Sequence, residues 1–367
     1  MSKPLTAIGL MSGTSLDGID VALLVTDGET VTSRGPAMTV GYNDTQRSLL
    51  KRALADAALL TNRMARTGSL QQIETDLTHW HFEAVQTFCK RFDVALDRVD
   101  VIGFHGQTVL HRPEIGLTVQ LGDGPELARL CDVPVVYDMR ANDMLHGGQG
   151  APLVPVYHRA LVSALTEKPV AVVNIGGVAN VTWIGADGSL VAFDTGPGNA
   201  LLDDWMKRHT GTNRDEGGAM GLVGTVDDAT VAQFLEDGFF EKLLPKSLDR
   251  DSFAGIVLDG LSVADGAATL VAVTTRAIAV SESLMPEDPK LWIICGGGRH
   301  NLATMRGLEK VLDNVQTAEQ LGLDGDAVEA EAWAFLAVRS LRGLPLTYPG
   351  TTGVKEAMTG GVLVRPA

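Results

Sequence analysis

Two stretches of this chain share one pattern: a short apolar run, a turn of glycine and small polar residues, and a second apolar run. In the first, residues 7–10 and 19–26 flank Gly9-Leu-Met-Ser-Gly-Thr-Ser-Leu-Asp-Gly18. In the second, residues 170–175, 181–184 and 190–193 are separated by Gly-Gly-Val-Ala-Asn and Asp-Gly turns. That second stretch runs into Asp194-Thr-Gly-Pro-Gly-Asn199. Short apolar runs bounded by such turns read as buried strands, so each stretch predicts strand, tight turn, strand. A chain of 367 residues that carries this pattern twice predicts two α/β domains.

The remaining patterning agrees. Helical spacing covers residues 46–60, 69–92, 200–210, 225–235, 263–284 and 326–341. Residues 99–104 predict a strand ending in His105-Gly-Gln-Thr108, and 116–121, 125–130 and 133–137 predict strand, helix, strand. Residues 291–295 predict a buried strand running into Gly296-Gly297-Gly298. The Gly- and Pro-rich stretch 142–155 predicts a loop crossing between domains. The domains expected are 1–138 plus 345–367, and 139–344.

Each Gly-rich turn admits two readings. The turn 9–18 is either a plain hairpin turn or a cradle whose N–H groups meet phosphate oxygens. Ser12, Thr14 and Ser15 add hydroxyl donors, and Asp17 adds a carboxylate suited to Mg²⁺ held through water. Asp194 is expected at a strand end, either as a general base or as the cap of an Asx turn. The three glycines 296–298 are either a tight turn or a bare backbone on which adenine or ribose lies. His105, Gln107, Asp138 and Arg140 gather polar groups at expected strand ends, suited to sugar hydroxyls and a carboxylate. Glu329 opens the last helix, where an acid ordinarily complements the helix dipole. His79 and His81 are two apart on a helix and cannot converge on one metal.

Neither G-x-x-x-x-G-K-[ST] nor a strand-linked G-x-G-x-x-G occurs, which argues against P-loop and Rossmann chemistry. The formal charge of −15 argues against nucleic acid and anionic membranes as partners. Three widely spaced cysteines without C-x-x-C suit a reducing compartment. No apolar run approaches ~18 residues, so no membrane span is expected and the protein is expected to be cytoplasmic.

The segments IGLMSGTSLDGIDVAL, GFHGQT, YDMRANDMLHGGQGAPLVP, NIGGVANVT, FDTGPGNALLD, CGGGRHN and AVEAEAWAFLA resemble the anhydro-N-acetylmuramic acid kinases of bacterial cell-wall recycling. The likeness runs in order from about residue 8 to 360. It implies a two-domain actin/hexokinase-like (ribonuclease H-like) ATPase fold with an interdomain cleft. It implies a kinase that uses ATP, Mg²⁺ and water to open 1,6-anhydro-N-acetylmuramic acid and phosphorylate O6, and it implies a homodimer. By this resemblance Asp194 is the base that activates water, and Glu329 binds sugar and orients that water. Gly13, Thr14, Ser15, Leu16, Asp17, Gly18, Ile19 and Asp20 form the ATP loop, with Gly176, Gly177, Gly296, Gly297 and Gly298 on the same ligand. Asp17 positions Mg²⁺. His105, Gln107, Arg140 and Asn174 are expected at the sugar, with Arg140 on its lactyl carboxylate. The stretch 244–251 keeps a Pro-Lys-Ser core but departs around it, and Thr347 and Thr351 replace the expected Asn and Val. Two rivals are a conventional sugar kinase, which consumes no water, and an ATPase switch acting on protein partners.

Overall fold

The computed structural model describes residues 2–13, 15–248, 252–253 and 255–366. The strands are β1 (Leu5–Ser12), β2 (Gly18–Thr26), β3 (Val31–Gly41), β4 (Val101–Arg112), β5 (Leu117–Leu121), β6 (Val135–Tyr137), β7 (Val170–Ile175), β8 (Val178–Ile184), β9 (Leu190–Pro197), β10 (Leu291–Cys295), β11 (Val315–Thr317) and β12 (Val362–Val364). The chain divides into two units, Met1–Ser163 with Ala327–Ala367, and Ala164–Asp326.

The first unit is built on the seven-stranded sheet β12-β6-β4-β1-β2-β3, with β5 hydrogen-bonded to β4. The β1–β2 and β2–β3 pairs are antiparallel, whereas β1–β4 and β4–β6 are parallel. The second unit repeats this plan as β11-β10-β7-β8-β9, again with an antiparallel meander followed by two parallel strands. Each unit thus carries the strand order of the ribonuclease H-like, actin/hexokinase-type fold, and the repeated strand–turn–strand pattern is its signature in sequence.

In the first unit, helices Asp44–Ala57 and Leu70–Phe92 bury Leu50, Leu77, Val85 and Phe88 with Ile8, Leu10, Ile102 and Phe104 of the sheet. Alternate residues of β1 and β4 point to the other face, where helix Val328–Leu341 lies. A Cβ on Gly9 would stand 1.8 Å from Ala330 O, and one on Gly103 would stand 2.0 Å from Trp333 O. Only glycine admits a helix backbone that close to a strand.

That contact also corrects the expected domain boundaries. Residues 139–163 and 327–344 belong with the first unit rather than the second, because helix Val328–Leu341 packs on β1, β2 and β4. Other differences are local. β3 was not anticipated; it is an edge strand whose residues are mostly half-buried or exposed, so it lacks a clean apolar alternation. The stretch expected as a loop contains helix Ala141–Leu145, and the helix Pro155–Leu161 begins where it ends. No membrane span is expected from the apolar runs, yet residues 263–284, read above as helical, have the length and hydropathy of one. This segment is the core helix Val263–Val280 plus a 3₁₀ turn, and 67% of its apolar window is buried in the second unit.

Candidate functional site

In the first unit the sequence-predicted residues converge on the end of β1. The turn after it has Leu16 at φ +55°, a left-handed backbone that few non-glycine residues adopt. Leu16 tolerates it because its side chain is an anchor, 5% exposed and part of the core, as is that of Ile19. Both can meet a ligand only through their backbone. With Leu16 tucked in, Ser15 and Asp17 face outward, and Ser15 Oγ donates to Asp17 Oδ1 at 2.7 Å. Asp20 lies in β2 and accepts from Thr39 Oγ1 at 2.5 Å. At Gly18 a Cβ would meet Val40 O at 2.6 Å, so the turn is pinned against β3. Thr14 lies outside the described residues, as do Asp249, Arg250 and Asp251 of the altered stretch.

His105 and Gln107 sit within β4 rather than at its end, because the strand continues to Arg112 by pairing with β5. Gln107 is buried. Its Oε1 accepts from Ser12 Oγ at 2.6 Å, and its Nε2 donates to Gly13 O at 3.2 Å and to Thr108 O at 3.3 Å. It braces the turn from behind.

The protonation of His105 follows from its partners. Its Nδ1 faces the Ser12 carbonyl at 3.1 Å and must donate, whereas Nε2 lies 3.1 Å from an Arg140 nitrogen and must accept. The ring is therefore neutral. Burial, aided by the Arg140 cation, holds its pKa well below the usual histidine value. Arg140 also donates to Gly150 O at 2.9 Å and stands 5.5 Å from the Trp333 ring centroid. Its Nε is buried without a hydrogen-bond partner. Burial lowers its pKa to about 10, against the opposing charges of Glu329 and Asp143. A guanidinium with one free buried N–H, near a half-buried Glu329, is suited to an anionic or hydroxyl-rich ligand. Asp138, the remaining polar residue of that group, is ion-paired with Arg63.

Sequence reasoning missed two members of this group. Trp333 follows Glu329 by one helical turn and stacks at 4.5 Å on His105. Asp143 is buried, accepting from Gly150 N at 2.6 Å and from Thr352 Oγ1 at 2.7 Å. The signal available for Trp333 was its i, i+4 spacing from Glu329; Asp143 had none.

In the second unit the ladder register does the positioning. Cys295 pairs with Asn174, Asn174 with Asn180, and Asn180 with Asp194, one row across four strands. Directly opposite residues share a sheet face. Asn174, Asn180 and Asp194 are all half-buried, while Val173, Ile175, Val181 and Phe193 on the other face are buried. Asp194 is inside β9, which runs on through Thr195 to Pro197, so it neither ends a strand nor caps a helix. Its Oδ2 accepts from Leu248 N at 2.7 Å and its own N–H donates to Lys246 O at 3.2 Å.

The glycines beside this row leave no room for side chains. Gly296 has φ +72°, and a Cβ there would meet Asn174 Oδ1 at 2.2 Å; on Gly298 it would meet Ile175 Cγ2 at 2.3 Å. At Gly297 the nearest atom to such a Cβ is 3.9 Å away, so this glycine faces open space. The two-residue turn Gly176-Gly177 is closed by its own chain: Gly177 O accepts from Gly198 N and Ala200 N, and Gly176 O from Asn199 N. Arg299 locks the three-glycine turn, donating to Gly296 O at 2.8 Å, Glu319 at 2.8 Å and Asp326 at 2.9 Å. No group of three or more metal-ligating side chains occurs among the described residues.

An anhydro-N-acetylmuramic acid kinase of Rhizobium johnstonii is 54% identical over 367 residues, covering 98% of this chain and 99% of its own. One of Agrobacterium fabrum is 52% identical over 372 residues, covering 100% of both chains. Among solved structures, component A of (R)-2-hydroxyglutaryl-CoA dehydratase from Acidaminococcus fermentans aligns over 92% of this chain and 99% of its own, at 12% identity and a TM-score of 0.48. The sequence model of the anhydro-N-acetylmuramic acid kinase family matches residues 5–366, and the chain belongs to that family of murein-recycling kinases.

Proposed function

We propose that this chain takes 1,6-anhydro-N-acetylmuramic acid, ATP and water to N-acetylmuramate 6-phosphate and ADP, with Asp194 as the general base. In the anhydro sugar O6 is bonded to C1, so no free 6-hydroxyl exists to be deprotonated. The C1–O6 bond must break as a water oxygen bonds to C1, and O6 then takes the γ-phosphoryl group of ATP, with ADP as the leaving group. The water proton goes to Asp194 and leaves with the products. The observation that carries this assignment is the seat of Asp194. It is a half-buried carboxylate on the polar face of β9, one oxygen tied to Leu248 N, aligned with Asn180 and Asn174. Such a fixed carboxylate contributes roughly 10²–10⁴-fold as a base.

On the first unit, Arg140 holds the lactyl carboxylate through its free Nε–H, and Glu329 binds the sugar and orients the water. Neutral His105 fixes the Arg140 plane by accepting from it. Ser15, Asp17 and the backbone of residues 13–20 receive the phosphates. Gly176, Gly177 and Gly296–Gly298 present bare backbone to the nucleoside, and Asn174 presents its amide to the sugar. Mg²⁺ fits Asp17: one exposed carboxylate braced by Ser15 is what a phosphate-borne, largely hydrated ion requires of a protein. When bound, that ion neutralises charge on the transferred group. The formal charge of −15 supports an enzyme with no nucleic-acid or anionic-membrane partner, three widely spaced cysteines without C-x-x-C support a cytoplasmic one, and the family resemblance supports a homodimer.

Asp194→Asn tests the assignment. Sugar-dependent ADP release is expected to fall by ~10²–10⁴-fold while ATP affinity stays within about twofold. Turnover at the wild-type rate would remove Asp194 from the role of base.

A further inference from the structure

Lys246 has no part in the steps above, yet its seat is unusual. It belongs to the Pro-Lys-Ser core of residues 244–251 and is 5% exposed. Its ammonium stands 4.4 Å from the Phe239 ring centroid, 5.7 Å from Phe193 and 6.0 Å from Phe240. It donates to Phe239 O at a long 3.4 Å. A cation among aromatic rings gains from their faces but loses its hydration, a costly exchange for an ammonium. Burial accordingly lowers the Lys246 pKa, and the negative charge of Asp194 acts in the opposite direction.

The backbone of the same segment holds Asp194. Lys246 O accepts the Asp194 N–H, and two residues later Leu248 N donates to the Asp194 carboxylate. Phe193, one wall of the cage, is the residue before Asp194. The cage and the base are therefore two faces of one β9 segment.

We propose that Lys246 is a positioning residue for Asp194. Its segment orients the carboxylate, and its caged ammonium favours the charged form that accepts the water proton. This rests on Asp194 being the base. Among the described residues, these other charged groups bear on the pair or on the elements around it. Lys242, 5.9 Å from the Phe239 ring centroid, opposes the Lys246 charge. From the helix Val263–Val280, Arg276 is engaged with Asp228 of the helix Asp228–Leu235. Asp237 accepts from Phe239 N, and Asn180 across the ladder is uncharged.

The test compares Lys246→Met and Lys246→Arg with the wild type, reading kcat/KM for the anhydro sugar against pH. Methionine keeps the volume and suits the cage, so Tm should hold or rise because a buried charge is gone. A carboxylate that loses a nearby cation titrates higher, and a base works only when deprotonated. The acid limb of the Lys246→Met profile should therefore move up by on the order of one pH unit. The plateau at high pH should be largely kept and KM for ATP should stay within about twofold. Lys246→Arg should keep the wild-type limb. An unmoved limb in Lys246→Met, or a loss equal at every pH, would overturn the proposal. If Lys246→Met does not fold, Lys246→Gln against Lys246→Arg reads the same limb. Asp194→Asn separates the two ideas. Full turnover there removes the base itself, whereas a dead Asp194→Asn beside an unmoved Lys246→Met limb removes only the role of Lys246.

Discussion

The two units share a strand order but treat the same turn differently. Between β1 and β2 the first unit has a five-residue turn that exposes Ser15 and Asp17 and buries Leu16. Between β7 and β8 the second unit has only Gly176 and Gly177, whose carbonyls are taken up by the backbone of residues 198–200. The first turn offers side chains and the second offers a closed backbone. The third strand differs in the opposite sense. In the first unit β3 is a mostly half-buried and exposed edge, whereas in the second β9 carries Asp194 on a polar row of the ladder. Duplicated topology thus gives two equal frames, and short stretches on each frame decide the chemistry.

Two glycines, one on each frame, also differ in how they tolerate change. Gly9→Ala in the first unit sets a Cβ 1.8 Å from the backbone oxygen of Ala330, and a backbone cannot rotate away. The expected cost is about 3 kcal/mol or more, seen as a large fall in Tm with loss of activity, because the helix carrying Glu329 must move. In the second unit Gly298→Ala meets side chains, Ile175 at 2.3 Å and Asn199 Oδ1 at 3.3 Å, so about 1–2 kcal/mol is expected. Equal melting shifts for the two would break the comparison. Next in size is Arg140→Ala. Loss of a charged hydrogen bond to the sugar should raise its KM roughly 10–100-fold and leave KM for ATP unchanged. If both constants rise together, Arg140 supports the fold and not the sugar.

Acid should separate the units too. Buried His81 and half-buried His111 have pKa values lowered to about 4, buried His158 to about 3, and buried His105 well below 6.5; all four are in the first unit. The second unit's histidines, His209 and His300, are exposed. For each buried ring desolvation is the leading cause, so the unfolded chain binds a proton that the folded chain refuses. Stability is then full above about pH 6.5 and is lost as pH falls from there toward 4. Each buried histidine should cost on the order of 1–2 kcal/mol by pH 5. Hydrogen exchange at pH 5 against pH 7 should show the first unit loosening before the second; the reverse order would contradict this account. The smallest effect expected is that of Asp17→Asn, a several-fold rise in the Mg²⁺ needed for half-maximal rate, about 1 kcal/mol, at unchanged sugar KM.

Much of this frame was legible in the sequence because buried strands and glycine turns leave strong local marks. β1, β7, β10 and the helices at 44–57 and 70–92 fall close to where apolar spacing put them. What failed was decided by partners distant in sequence. β4 outruns its apolar run because β5 pairs with it, and β9 outruns Phe193 because β8 does. The boundary failed for a similar reason: helix Val328–Leu341 joins the first unit through Gly9 and Gly103, single glycines inside strands, more than two hundred residues away. Of the site, glycine turns and strand-borne acids were readable. The row Asn174–Asn180–Asp194 needed the ladder register, and the tautomer of His105 needed both its partners in place.

The central claim is that one site opens the anhydro bridge with water and phosphorylates O6 in the same turnover, with Asp194 as base. Mass spectrometry of the product made from 1,6-anhydro-N-acetylmuramic acid, MgATP and ¹⁸O-water, quenched fast enough to limit anomeric exchange, tests it directly. The account predicts a 6-phosphosugar carrying one ¹⁸O at C1 from the wild type, and almost no product from Asp194→Asn. An untouched anhydro sugar, together with unlabelled phosphorylation of a sugar that bears a free hydroxyl, would contradict it.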